Sequence, residues 1–375
     1  MKLLASINFL DLFITAALAV LVPLLLLDRN VSVSEIGLIL SALPLVFLFA
    51  RMIFSALADQ TGYKPFFVLD WLAQGIAIVV YIFAMNPLLF LIGKTFEGVR
   101  AAAFWAVDRT AIFSLARGKE GEAATGLSVV RTVGSAIGTA AAGFIAMEFG
   151  LHYALLFLLT AFLVQGFPAL VLRADKGRKP ELKKTVSLLL PFHKSRAFWL
   201  TALALAFYSL GTYAIFYLIA PVYMKLDLGM GYDSIGYVIA AYYLVRSLAT
   251  FTGLRKLSFT RCALLQGFLF AASASLIAIT GSSLFVPLFL IMALSDGFAQ
   301  VLFEKVIAKE TRGKPSVSTD IGYLFAPTRI AEFSSVILAG FAFQYLGYPV
   351  VFLISAIAFI AYSYIAWRIL HSRRR

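Results

Sequence analysis

The sequence predicts an all-α integral membrane protein with twelve transmembrane helices arranged in two six-helix, pseudo-symmetric bundles. Of the 375 residues, 61% are hydrophobic and only 14% are charged, whereas soluble domains are about half apolar and about a quarter charged. The mean hydropathy of +0.91 shows that the apolar excess is large. Polar and Pro/Gly-containing breaks cut the chain into twelve apolar segments, each close to the length of about 20 residues that spans a bilayer.

The twelve segments follow one another with short connections. The first, residues 4–27, is longer than the apolar core of a signal peptide, so we expect a retained helix. In lipid the backbone must satisfy its own hydrogen bonds, so we expect segments of this length to be helices and not strands. The remaining segments cover residues 34–57, 65–85, 87–108, 123–147, 151–172, 197–224, 232–254, 260–280, 284–304, 320–344 and 349–370.

The longest hydrophilic stretch, residues 173–196, divides six segments from six. We therefore predict an N-terminal bundle at 1–172, a cytoplasmic central loop at 173–196 and a C-terminal bundle at 197–375. Shifting the sequence by about 197 to 199 positions aligns short stretches of the two halves in the same order, as expected of a duplicated six-helix unit. The aligned stretches include Ile36-Gly37 with Ile235-Gly236, Phe90-Leu91-Ile92 with Phe289-Leu290-Ile291, Glu97-Gly98 with Asp296-Gly297, Ala142-Gly143-Phe144 with Ala339-Gly340-Phe341, and Gly150 with Gly347.

The positive charges indicate the topology. Most of the 32 Lys and Arg fall in the loops on the side of both termini, whereas the opposite loops hold only Arg29 and Lys225. The positive-inside rule therefore places both termini and the central loop in the cytoplasm, with the protein in the cell membrane. The net charge of +13 is then a signature of topology, and we expect no nucleic-acid partner.

A family resemblance is found in the loop between the second and third segments. Residues 55–64, SALADQTGYK, resemble the signature loop of the major facilitator superfamily, roughly G-x-L-A-D-R-x-G-R-K. Leu57, Ala58, Asp59, Gly62 and Lys64 match the signature, whereas Ser55, Gln60 and Tyr63 depart from it. Residues 92–103 look like the fourth-helix pattern of this family, with Lys94 and Glu97 where the family usually carries Arg and Gln.

Together with the twelve segments and the two halves, this resemblance covers the whole chain. It implies a rocker-switch transporter with a central cavity between the halves. It also implies that the second segment meets the eleventh and the fifth meets the eighth, along stripes of small residues that let helices approach closely.

The signature loop is also a candidate cytoplasmic gate. Gly62 permits a tight turn, Asp59 can cap the third helix, and Asp108 is placed to accept a charge-assisted bond from Lys64. By the resemblance, these four residues lock the cytoplasmic side shut in the outward-facing state. The alternative is that they are interfacial charges that fix the topology.

Charged residues inside the apolar segments are the candidates for proton coupling and substrate binding, because a charge at the bilayer centre costs several kcal/mol. Lys94, Glu97 and Arg100 are spaced to form one ladder along the fourth helix, and Asp296 lies at the position equivalent to Glu97. Arg51 and Asp70 are shallower, and we expect a structural pair there. The full candidate set is Asp11, Lys94, Glu97, Arg100, Arg131, Arg246, Asp296, Arg329 and Glu332.

Glu97 is the foremost candidate for a proton site, followed by Asp296 and Glu332. A buried carboxylate beside a basic group that can move away is able to take and release a proton. Static bridges between helices are the alternative. Basic residues outnumber acidic ones at depth by one, which favours an anionic or carboxylate-bearing substrate.

The sequence thus predicts a secondary active transporter of a small solute that works by alternating access and is coupled to protons. Efflux of amphipathic compounds and uptake of an organic anion remain open, as does a sensor or assembly factor that keeps the fold without transport. The three His are scattered and Cys262 is the only cysteine, so we expect no enzyme, no metal and no cofactor. We expect a monomer in the lipid bilayer.

Overall fold

A computed structural model describes residues 1–116, 120–173, 194–311 and 317–371. Most of the predicted central loop at 173–196 lies outside these residues. Twelve long helices are described: α1 (Lys2–Asp28), α2 (Val33–Thr61), α3 (Lys64–Phe83), α4 (Pro87–Leu115), α5 (Glu120–Phe149), α6 (Leu151–Val171), α7 (Arg196–Leu226), α8 (Tyr232–Lys256), α9 (Phe259–Thr280), α10 (Phe285–Thr311), α11 (Val317–Leu346) and α12 (Tyr348–His371).

Within the described ranges, eleven of these helices are long and apolar enough to cross a membrane. The helix outside that set is α4, whose 29 residues include Lys94, Glu97, Arg100 and Asp108. The fold class predicted from the sequence, an all-helical chain of twelve long helices, is confirmed.

Several helices begin where the sequence supplies a capping side chain. Asn86 accepts a hydrogen bond from the Leu89 backbone N–H at 3.1 Å, and Pro87 follows at the first helical position of α4. Ser195 caps α7 in the same way, accepting from the Phe198 N–H at 3.1 Å. Side-chain oxygens at these positions satisfy backbone donors that the helix itself leaves free.

The helix α7 is interrupted by one π-helical turn at Ile215–Ile219. Pro221 follows in the next turn and lacks the backbone N–H that a regular α-helix would need there. Such single turns occur frequently at functional sites.

The chain contains two compact units. The first comprises Met1–Leu26, Ala42–Phe192 and Gly231–Ala240. In it α3 packs on α4 and on α6, and α5 packs on α6. Its core has fully buried side chains from α1, α3 and α4, among them Ile7, Phe67 and Phe104. Burial of such large apolar side chains stabilises the unit and holds the α4 charges in fixed surroundings.

The second unit comprises Leu27–Ser41, His193–Met230 and Ala241–Arg375. In it α7 packs on α11 and α12, and α9 packs on α10 and α12. Phe270 of α9 stacks on Phe359 of α12 with 3.9 Å between ring centroids. The division of the chain into two six-helix halves, with boundaries at 172 and 197, stays a prediction.

The first turns of α2 belong to the second unit, and the first turns of α8 belong to the first unit. Close backbone contacts at glycines explain both assignments. A Cβ on Gly37 of α2 would lie 2.7 Å from the Val336 carbonyl oxygen of α11. Likewise, a Cβ on Gly143 of α5 would lie 2.5 Å from the Tyr232 carbonyl oxygen of α8. Only glycine allows backbones so close, and the predicted meetings of the second with the eleventh helix and of the fifth with the eighth are confirmed.

Candidate functional site

The first charge cluster surrounds Glu97 in the first unit. The Oε1 atom of Glu97 accepts a hydrogen bond from the Tyr81 hydroxyl at 2.5 Å and one from Lys94 Nζ at 2.8 Å. All three side chains are buried. Lys94 and Glu97 share one face of α4 because they are three residues apart. A Cβ on Gly93 would lie 2.2 Å from the Tyr81 ring, so this glycine makes room for the tyrosine.

The second cluster places one guanidinium between two carboxylates. Arg100 Nη1 lies 2.5 Å from Asp11 Oδ1 on α1 and 3.6 Å from Asp70 Oδ1 on α3. Gln165 of α6 donates to Asp70 Oδ2 at 3.5 Å. All four side chains are buried, so this cluster ties four helices of the first unit together.

This arrangement corrects the predicted ladder along α4. Lys94 and Glu97 do pair, but Arg100 turns to α1 and α3 and takes Asp11 and Asp70 as partners. Spacing along one helix shows which residues share a face and does not show which neighbouring helix each side chain meets. The sequence had grouped Asp70 with Arg51, and the structure places it beside Arg100.

The third cluster joins two residues that the sequence had assigned to different roles. Arg131 of α5 donates through Nη2 to Asp108 of α4 and through Nε to Asn8 of α1, the latter at 2.6 Å. Its guanidinium also lies 5.1 Å from the Trp105 ring centroid. Asp108 was expected to pair with Lys64 in the cytoplasmic gate, whereas the structure gives it Arg131 as its ion-pair partner.

The remaining gate residues lie where α2 ends and α3 begins. Gly62 has a φ of 82°, as the predicted tight turn requires, and its N–H donates to the Ala58 carbonyl at 2.9 Å. The backbone of Asp59 belongs to the last turn of α2, and its side chain lies outside the part of the chain that the structure describes. Lys64 is the first residue of α3.

In the second unit, Asp296 of α10 is the centre of a hydrogen-bonded cluster. It accepts from the Tyr208 hydroxyl of α7 at 2.6 Å and from the Tyr242 hydroxyl of α8 at 3.1 Å. Arg246 Nε of α8 lies 2.8 Å from Asp296 Oδ2, the oxygen that also accepts from Tyr242. Arg246 Nη2 also donates to Gln300 at 3.0 Å and to Tyr208 at 3.2 Å.

Glu332 of α11 contacts α7 one residue beyond Tyr208. Arg329 Nη1 is 2.5 Å from Glu332 Oε2, and Ser209 of α7 donates to Glu332 Oε1 at 3.1 Å. Because Ser209 follows Tyr208 in sequence, α7 connects the Asp296 and Glu332 clusters. The predicted partnership of each carboxylate with a basic side chain is therefore present in both units.

Sequence reasoning found the charges and missed most of the neutral partners. The neutral partners are Tyr81, Tyr208, Ser209, Tyr242 and Gln300, and none of them is in the candidate set predicted from the sequence. Hydroxyl and amide groups are common in these helices, and a single sequence offers no signal for which of them faces a carboxylate. For the carboxylates the sequence does offer a signal, because Glu97 and Asp296 align when one half of the sequence is shifted onto the other.

Among the described residues, no group of three or more His, Cys, Asp or Glu side chains is arranged to hold a metal ion. Cys262 is a free, buried thiol. The polar groups in these clusters are carboxylates, guanidinium and ammonium groups, amides and hydroxyls, which exchange protons or bind polar and charged solutes.

Comparison with known proteins agrees with this architecture. Residues 4–314 match the family model of the Major Facilitator Superfamily. A crystal structure of the nucleoside transporter NupG is similar, with a TM-score of 0.78 and 11% identity over 98% of this chain and 99% of that one. A structure from a study of substrate recognition in proton-dependent oligopeptide transporters has a TM-score of 0.77 and 15% identity, over 98% and 97%. A search of curated protein sequences finds no match. At these identities the two structures establish the fold alone.

Proposed function

Because this chain belongs to the major facilitator superfamily, we propose that it is a secondary active transporter that moves a small solute by alternating access and couples this movement to protons. The family and the multi-pass helical fold support transport across a membrane. The buried ion pairs of α4 and α10 support the coupling.

The Glu97 cluster is the observation that carries the proton-coupling proposal. Glu97 is 3% exposed, and its Oε1 lies between the Lys94 ammonium group and the Tyr81 hydroxyl. A carboxylate in such surroundings is stable only while its cation stays close. When Lys94 moves away, a proton can replace it on Glu97, and when Lys94 returns the proton leaves. This exchange gives the protein two states that differ in one bound proton.

The proposed topology places both termini in the cytoplasm of a cell whose plasma membrane holds the protein. Its support is the distribution of Lys and Arg, which are concentrated in the loops on the side of the termini. In a cell that keeps an inward proton gradient, a proton bound at Glu97 would enter from outside and leave to the cytoplasm.

The test is proton movement by the purified full chain in proteoliposomes that contain a pH-sensitive dye. Organic anions, lipophilic cations and neutral solutes are added in turn across an imposed pH gradient. We expect at least one class to cause dye-reported proton uptake that a protonophore abolishes. Solute flux that is indifferent to the gradient would contradict proton coupling, and the absence of flux for every class would favour a sensor or assembly factor.

A further inference from the structure

In the second unit, Arg246 and Arg329 are each more exposed than the acidic residue with which they pair. The Arg246 side chain is 31% exposed and that of Asp296 is 5% exposed. The Arg329 side chain is 18% exposed and that of Glu332 is 6% exposed. In both pairs the negative group is sealed in the unit and the accessible part of the pair is a guanidinium.

The depth of Arg246 indicates what its exposed part meets. Arg246 is the fifteenth residue of the 25-residue helix α8, which places it about 20 Å along the helix from Tyr232. A guanidinium at that depth is too costly to leave against lipid, so we expect its exposed part to face a water-filled space. An accessible cation in water surrounded by apolar protein attracts anions strongly.

The guanidinium of Arg246 retains hydrogen-bonding capacity. Its contacts with Asp296, Tyr208 and Gln300 use Nε and Nη2. Arginine has five N–H donors in a planar fork, so Nη1 is the arm of the fork left for an incoming carboxylate, sulfonate or phosphate. The existing contacts hold the fork in one orientation, which lowers the entropic cost of binding.

Aromatic side chains lie on the same helices. Phe216, inside the π-helical turn of α7, packs on Tyr242 and Tyr243 of α8 with ring centroids 5.0 and 5.2 Å apart. Tyr213 and Tyr217 pack at 4.5 Å. All of these except Tyr242 are partly exposed. The π-helical turn supplies a second and independent sign of a functional site.

We propose that the second unit binds an organic anion with an aromatic or otherwise apolar body. Its anionic group bonds to Arg246, and its body lies against Phe216, Tyr213, Tyr217 and Tyr243. The identification of this ligand as the transported solute rests on the proposed transport function. The binding itself requires no transport.

Equilibrium binding to the detergent-solubilised full chain tests the proposal, with 2-naphthoate as the probe and 2-naphthamide as its neutral counterpart. We expect naphthoate to bind at least about tenfold more tightly than naphthamide, because a hydrogen bond to a charged group is stronger than one to a neutral group. Arg246→Ala should lose this preference, and Arg246→Lys should keep part of it. Arg255→Ala, at the exposed cytoplasmic end of the same helix, is the matched control and should bind as the wild type does.

Arg246→Ala leaves Asp296 without its cation and is at risk of misfolding. The double variant Arg246→Gln with Asp296→Asn removes both charges and avoids that problem. If the folded double variant still prefers naphthoate, or if the wild type binds naphthamide equally well, the proposal is wrong. Naphthoate binding together with no proton-driven flux of any solute class would contradict the proposed function and leave the anion site intact.

Discussion

Glu97 and Asp296 each accept a hydrogen bond from a buried tyrosine hydroxyl and a further bond from a basic side chain. The tyrosines are Tyr81, at 2.5 Å, and Tyr208, at 2.6 Å. The two carboxylates lie at equivalent positions of the predicted repeat, one in each unit. Their cations differ, because Glu97 is paired with Lys94 on its own helix and Asp296 with Arg246 on a neighbouring helix.

This difference suggests a division of labour between the units. Lysine is a flexible point charge, whereas the arginine fork is held by several bonds at once. Glu97 therefore has a partner that can leave, which suits a proton site. Asp296 orients Arg246, which suits a binding site for an anion.

The first prediction concerns the guanidinium that two carboxylates share. Replacing Arg100 with Leu leaves Asp11 and Asp70 buried without their cation, and breaking such a pair costs about 3 to 5 kcal/mol. We expect a clearly lower thermal midpoint for the purified protein in detergent.

The matched variant is Asp70→Asn, which keeps the size of the side chain and removes one of the two negative charges. Its midpoint should equal or exceed that of the wild type. A loss as large as that of Arg100→Leu would show that the charge of Asp70 is itself required for stability.

The second prediction concerns the close approach of α1 and α5. A Cβ on Gly138 would lie 2.2 Å from the Phe13 carbonyl oxygen, so Gly138→Ala must push the helices apart. We expect destabilisation of about 1 to 3 kcal/mol, as for other overpacked sites, measured as a lower thermal midpoint.

Gly126 is the control on the same helix, since a Cβ there would meet nothing within 4 Å. Gly126→Ala should be neutral or stabilising by up to about 1 kcal/mol, because alanine favours helix over glycine. Equal effects of the two substitutions would contradict the packing account of α1 and α5.

The third prediction concerns membrane topology. Cys262 is the only cysteine and is buried, so a membrane-impermeant maleimide added to intact cells should react only with introduced thiols. Asp227 and Lys256 are exposed residues near opposite ends of α8. Asp227→Cys should be labelled from outside, and Lys256→Cys only after the cells are permeabilised. The reverse pattern would place the termini outside the cell.

The fold was accessible from the sequence because lipid forces every spanning segment to be a helix of known length. The ends of the helices were harder to predict from the sequence. The apolar segment at 87–108 predicted the start of α4, yet the helix continues to Leu115. Hydropathy marks the part of a helix in lipid, whereas backbone hydrogen bonding continues beyond it.

Only the charged residues of the site could be predicted from the sequence. Asp11 and Arg100 were candidates because charges at depth are costly, but their pairing depends on how α1 and α4 are rotated about their axes. Asp70 was missed as a partner of Arg100 for the same reason. Such rotations are set by packing of the whole core and not by local spacing.

If Glu97 carries the coupling proton, as we propose, replacing it with Gln should uncouple transport in proteoliposomes. The measurement compares solute accumulation driven by a proton gradient with exchange of labelled for unlabelled solute in its absence. We predict that Glu97→Gln abolishes accumulation and retains exchange, because the amide keeps the shape of the carboxyl but cannot bind and release a proton. Glu148→Gln, an exposed residue of α5, should retain both activities. Accumulation by Glu97→Gln at the wild-type level would contradict the account.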